Sequence, residues 1–215
     1  MKKEDWFRRT TWTPQDEEAF QVHLKRSRGD DRKAQYLRIQ AFHLAEVGNH
    51  PAALTLLDQL FRDYPDPSEL AQSFLQRAKS LVALGRDKEA IASFQASLDA
   101  QAKRPNMQTT VALEFSWYIA TRRLFDLYDE AQSLIHQYEL GDGIRFPNER
   151  FRCAAVLALI ADDRGQTDEA RAFAAIAHDA AKATHSGFRY HPTLGLVKEM
   201  PNEVAARLAA IRGGK

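Results

Sequence analysis

The chain has 215 residues, 44% hydrophobic and 27% charged, with 30 Lys and Arg against 29 Asp and Glu for a net charge of +1. That is enough apolar chain to build a core, and the near-neutral balance excludes a strong field committing the protein to nucleic acid or anionic lipid. A single cysteine, Cys153, excludes an internal disulfide framework, and a reducing cytoplasm is the simplest compartment.

The first twelve residues, MKKEDWFRRTTW, are basic but carry no apolar signal-peptide core, and the longest apolar run, residues 154–161, is too short to span a bilayer. The expectation is a protein neither exported by that route nor embedded in a membrane. Thr13-Pro14-Gln15-Asp16 then predicts a helix start, with a hydroxyl cap, proline at the first helical position and an acid in the first turn. Phe20 and Leu24 fall on one face of that helix. The stretch HLKRSRGDDRK gathers Lys25, Arg26, Arg28, Arg32 and Lys33 into a candidate phosphate-binding patch, interrupted by Asp30 and Asp31. The alternative reading is a solvated helix end.

From there the chain repeats itself. The stretches AEVGNHPAALTLLDQLFRDYP (45–65), VALGRDKEAIASFQASLDAQA (82–102), RRLFDLYDEAQSLIHQYELGD (122–142) and ADDRGQTDEARAFAAIAHDAA (161–181) each read as a helix end, a polar turn and a second helix. Ala53, Ala90, Ala131 and Ala170 open those second helices at steps of 37, 41 and 39 residues. Gly48, Gly85 and Gly165 stand five residues before three of the alanines, where a left-handed helix end favours a residue without Cβ. Asp66-Pro67-Ser68-Glu69 predicts another helix start, AKRPNMQ and ELGDGIRFPNER mark the next two breaks, and PNEVAARLAAIR predicts a short closing helix.

This pattern resembles the tetratricopeptide repeat, a helix-turn-helix unit of about 34 residues. The second unit carries it best, through Phe74, Leu81, Gly85, Ala90 and Phe94. Ala41 with Ala53 and Ala78 with Ala90 sit where the family places small residues at a close crossing, and Pro65 ends the first unit. The third unit departs from the pattern, with Asp126 in place of the turn glycine. The resemblance covers roughly residues 34–181. It implies an all-α, right-handed superhelical solenoid of about four helix pairs with an extra helix at each end, in a single domain spanning 1–215. The cap would be 1–33, the pairs 34–66, 67–104, 105–146 and 147–184, and the remainder an extended segment with a capping helix at 185–215.

The resemblance further implies that the first helix of each pair lines a concave groove. Its register places Gln35, Arg38 and Phe42 there from the first unit and Gln72, Gln76 and Lys79 from the second. Ser116, Trp117, Ala120 and Arg123 follow from the third, and Arg152 and Leu159 from the fourth. Arginine, aromatic and amide side chains suit a peptide bearing carboxylates, although Trp117 and Phe42 read equally as filling between helices. The implied function is binding of another protein or peptide. Neutralisation of a toxin by a bacterial immunity protein is one alternative, and nucleic-acid binding through the basic N-terminal region is another.

Catalysis has little support. None of the seven histidines pairs at the helical spacing a zinc site needs, and Asp162-Asp163 point about 100 degrees apart on a helix rather than forming a dyad. Ser186 lacks the setting of a nucleophile elbow, no phosphate-binding glycine loop occurs, and Cys153 reads as core. No enzyme activity, metal, cofactor or small-molecule substrate is expected. The stretch HSGFRYHP (185–192) remains: Phe188 and Tyr190 are expected to pack as a lid over the last helix pair, with Arg189 facing the groove or solvent. A recognition loop touching the partner is the alternative.

Overall fold

A computed structural model describes residues 6–140 and 146–213; the middle of the break read in ELGDGIRFPNER lies outside them, at 141–145. Among the described residues the regular structure is all helical, ten α-helices and one 3-10 turn without a strand, and no helix is long and apolar enough to cross a membrane. The chain divides into two compact units, Met1–Val111 and Ala112–Lys215, where the sequence reads as one domain.

The first unit holds α1 (Pro14–Arg26), α2 (Asp30–Glu46), α3 (His50–Asp63), α4 (Leu70–Ala83) and α5 (Asp87–Lys103). Thr13 caps α1 as expected: its hydroxyl accepts from the Asp16 N–H at 3.2 Å, while the Asp16 carboxylate accepts from the Thr13 N–H at 3.0 Å. The start read at Asp66 is delayed to Leu70, because the Asp66 carboxylate accepts from the Ser68 N–H at 2.8 Å and closes a local turn first. Helices pack as neighbours, α2 on α3, α3 on α4 and α4 on α5. Phe20 and Leu24 of α1 join Leu37, Leu44, Leu56, Leu57 and Leu60 in one core. Trp6, Phe7 and Trp12 pack against that core, so the aromatic rings of the N-terminal segment cover an apolar end. Gln40, fully buried, secures the segment by accepting from the Arg9 N–H at 3.0 Å and donating to the Arg9 carbonyl at 2.7 Å.

The second unit holds α6 (Val111–Arg122), whose first residue belongs to the first unit, then α7 (Tyr128–Leu140), α8 (Pro147–Asp163), α9 (Thr167–Ala181) and α10 (Asn202–Gly213). The apolar run 154–161 of α8 is wholly buried, with α9 packed on α8 and α10 against both. Val204, Leu208 and Ile211 of α10 therefore cover the alanine-rich α9. This corrects the lid expected of HSGFRYHP: Tyr190 is 80% exposed, and Phe188, 45% exposed, stacks on Phe146 at 5.3 Å. That stretch instead closes on itself. The Ser186 N–H donates to the Pro192 carbonyl at 2.7 Å, and its buried hydroxyl donates to the His191 carbonyl at 2.6 Å and accepts from the Phe188 N–H at 3.1 Å.

Four turns share one hydrogen bond. The N–H groups of Asn49, Arg86, Leu124 and Gln166 each donate to the carbonyl five residues earlier, on Leu44, Leu81, Ile119 and Ala161, at 2.8 to 3.1 Å. The residue before each donor is left-handed: Gly48, Gly85 and Gly165 with φ of 81°, 69° and 73°, and Arg123 with φ of 54°. Asp126 is thus not the replacement for the missing glycine; Arg123 is. Ala131 lies eight residues after Arg123 rather than five because Phe125–Leu127 inserts a 3-10 turn before α7. Ala41, Ala53, Ala78, Ala90, Ala131 and Ala170 are all at most 1% exposed.

A Cβ at Gly85 meets nothing within 4 Å, so the cost of Gly85→Ala is conformational alone. It should amount to about 1 kcal/mol in urea unfolding, whereas Arg123→Gly, relieving the same strain, should lose less than about 0.5 kcal/mol. Ala78→Leu overpacks a buried crossing and should cost roughly 1 to 3 kcal/mol. Equal losses at residues 85 and 123 would contradict the common turn geometry.

Candidate functional site

The first unit contains a pocket of about 200 Å³ between α2, the start of α3 and α4. Phe42, Ala45 and Glu46 reach it from α2, His50 from α3, and Gln72, Leu75, Gln76, Lys79 and Ser80 from α4, with Thr110 closing one side. The α4 residues follow from helical geometry, since positions 72, 76, 79 and 80 stand at i, i+4, i+7 and i+8 on one face. Phe42 is 41% exposed and Leu75 is buried, giving the pocket an apolar wall.

Three of the residues that line it also carry a buried polar atom without a partner in the protein. Gln76 Oε1, Ser80 Oγ and His50 Nδ1 are buried and have no hydrogen-bond partner, and they are three of the six such side-chain atoms among the described residues. These atoms lie behind the lining rather than on it, since none of them is accessible to solvent. Glu46 and Lys79, of opposite sign and both exposed, leave the lining without net charge.

A second, wider cavity of about 500 Å³ lies in the second unit, lined by Trp117, Asn148, Phe151 and Arg152 and by the chain from Gly195 to Pro201. The strap is held at its start: the Asn148 N–H donates to the Gly195 carbonyl at 2.8 Å, and the Phe146 side chain leaves no room for a Cβ on Gly195, whose φ is 68°. Arg152 donates twice to Glu114, at 3.1 and 2.9 Å, and its guanidinium lies 5.0 Å over the Trp117 ring.

The residues expected to line a groove thus separate by environment. Phe42, Gln72, Gln76 and Lys79 come together in the first pocket, and Trp117 and Arg152 in the second. Ser116, Ala120 and Leu159 are fully buried and face the packed interior; the Ser116 hydroxyl donates to the Ala131 carbonyl at 3.1 Å and so joins α6 to α7. Gln35 is exposed outside both pockets, and Arg189 lies in an exposed loop with its guanidinium 5.5 Å from the Tyr190 ring.

The electrostatic expectation needs correcting. Arg38 is paired with Glu69, Arg123 with Asp163 at 3.1 Å and Arg152 with Glu114, so the arginines read as attracting a ligand's carboxylates already hold carboxylates of the chain. Asp163 also accepts from the Tyr128 hydroxyl at 2.6 Å and from Arg207 of α10 at 2.8 Å. Burial and that carboxylate push the Tyr128 phenol well above its ordinary range, which suits a fixed structural donor. In the basic N-terminal stretch Lys33 bonds Asp30 at 3.3 Å and lies over the Tyr64 ring, while Lys25, Arg26, Arg28 and Arg32 are exposed.

Sequence reasoning missed His50, Ser80 and Glu46 in the first pocket and Asn148 and the strap in the second. The signal for Ser80 was its position four residues after Gln76; His50 gave none, since it reads as a turn residue. Comparison with protein-family models, curated proteins and solved structures finds no match to this chain.

Two outcomes check this description. Burial pushes the Cys153 thiol up to about 12, so at pH 8 a disulfide reagent should react with the folded protein at least about a thousandfold more slowly than with a free thiol, recovering full rate on unfolding. Arg152→Ala strips Glu114 of two charge-assisted bonds and Trp117 of its cation, and should lower stability by roughly 1 to 3 kcal/mol in urea unfolding.

Proposed function

We propose that this chain is a protein-binding module in which the pocket of the first unit receives an anchor side chain of a partner protein. The observation that carries the reading is a space of about 200 Å³ with the exposed Phe42 ring at its edge and the buried Leu75 as its inner wall. Pockets for small-molecule ligands usually enclose about 300 to 1,000 Å³, so this volume suits one side chain better than a free metabolite. An exposed aromatic ring at the edge and an apolar wall inside are what the core of a protein interface needs.

The same reading takes the chain as four tetratricopeptide-like helix pairs wound right-handedly, with α1 and α10 as end helices. The shared turn bond and the buried alanines support it. Its action is binding without chemistry: the single thiol is buried, and the Tyr128 and Asp163 groups are engaged with Arg123 and Arg207. The aromatic residues flanking the N-terminal arginines are packed inward, which removes stacking platforms from that basic stretch and favours protein over nucleic acid as the partner class.

Ala45 lies on the pocket wall and is only partly buried, so Ala45→Phe should fill the space while changing stability by less than about 1 kcal/mol. A random peptide library selected on the wild-type protein should yield a consensus that binds wild type and loses at least about tenfold in affinity on Ala45→Phe, as expected for a displaced anchor. Failure to enrich any consensus, or a consensus that binds the variant unchanged, would overturn the reading.

A further inference from the structure

The loop HSGFRYHP is built to hold one ring out to solvent. The His191 N–H donates to the Phe188 carbonyl at 3.2 Å, which makes Arg189 and Tyr190 the two central residues of a tight turn. The Gly187 N–H donates to His185 Nδ1 at 2.9 Å and the Leu194 N–H to the His191 carbonyl at 3.1 Å, so the turn is held on both sides. Phe188 is engaged with Phe146, but Tyr190 is the most exposed large hydrophobic residue among those described, with the Arg189 guanidinium beside its ring. We infer that the pocket between α2 and α4 receives Tyr190 of a second copy of this chain, with Arg189 of that copy paired to Glu46; this rests on the binding reading above and names its partner. A ring already fixed at a turn tip loses little freedom on binding, and tyrosine and arginine are the side chains that most often anchor protein interfaces.

The pocket suits that turn in surface and in charge. The Phe42 ring and the Leu75 wall offer the tyrosine ring apolar contact, while Gln72 and Thr110 on the same lining, neither of them buried, can meet its hydroxyl. The charges left over on the two surfaces are opposite. Arg38, Arg123 and Arg152 already hold carboxylates of the chain, whereas Arg189 makes no ion pair among the described residues. Glu46 likewise makes none among them, and Lys79, its opposite on the lining, is engaged within the chain. Phe42 and Glu46 stand one turn apart on α2, about 5 to 6 Å, so adjacent residues at a turn tip can reach both at once. Desolvating such a pair beside a seated ring fixes the orientation of the contact as well as its partner. Because the loop and the pocket are different surfaces, the contact is heterologous, and each copy keeps one of the two free for a further copy.

The test is sedimentation velocity of the full chain over about a hundredfold range of concentration, in which the average mass of the wild type should rise by mass action. Tyr190→Ser, at the exposed tip, and Ala45→Phe, in the pocket, should each weaken self-association at least about tenfold, as loss of an anchor implies. An equimolar mixture of the two variants should recover association and stop at a dimer, since one brings a free pocket and the other a free Tyr190. Arg189→Glu should also weaken it, and Glu46→Arg in the same chain should restore it; both residues are exposed, so this arm stands even where Ala45→Phe disturbs the fold. A wild type that stays monomeric throughout, association that survives Tyr190→Ser, or a mixture no better than either variant alone would overturn the assignment. A monomeric wild type with a library consensus lost on Ala45→Phe would remove the second copy and leave the binding reading; a monomeric wild type without such a consensus would remove both.

Discussion

The packing of neighbouring helices around fully buried alanines is the constraint on which the rest depends. Ala53, Ala90, Ala131 and Ala170 are buried to within 1%, and a larger side chain at any of them would push two helices apart. Packing successive helices side by side needs a turn that reverses the chain in very few residues, and the left-handed residue with its five-residue hydrogen bond supplies it in these four turns. Once the pairs are fixed, helices such as α2 and α4 are brought near enough to enclose a pocket from the sides they do not use for pairing.

Much of that constraint is legible in the residues themselves. Thr13 and Asp16 announce α1, Gly48, Gly85 and Gly165 announce three turns, and the alanines after them announce the second helices. The fourth turn hides because Arg123 adopts a conformation that its side chain disfavours, and because a 3-10 insertion shifts the following alanine by three residues. Nothing local to Arg123 advertises either fact. The end cover was also misplaced: HSGFRYHP has the rings to act as a lid, but α10 brings three buried aliphatic residues on one face, and a helix buries apolar area against a helix more completely than a self-bonded loop does.

The site was legible in part, for a related reason. Phe42, Gln72, Gln76 and Lys79 follow from helical spacing, and they do line one pocket. The charge state of the expected groove did not follow, because the partners of Arg38, Arg123 and Arg152 are Glu69, Asp163 and Glu114, 31 to 40 positions away and on other elements. A list of arginines on a face says little about its field until their carboxylates are placed. With those pairs made, a concave apolar lining rather than net charge distinguishes the pocket from the surrounding surface.

Two glutamine contacts tie the first unit together reciprocally, Gln21 with Gln59 and Gln40 with the Arg9 backbone. The proposed binding reading takes the space between α2 and α4 as the place where a partner's side chain enters. A crystal structure of the protein with a library-selected peptide tests this most directly. The account predicts a peptide side chain seated between α2 and α4, in contact with Phe42 and Leu75. A peptide bound at any other surface, with that space left to solvent, would contradict it.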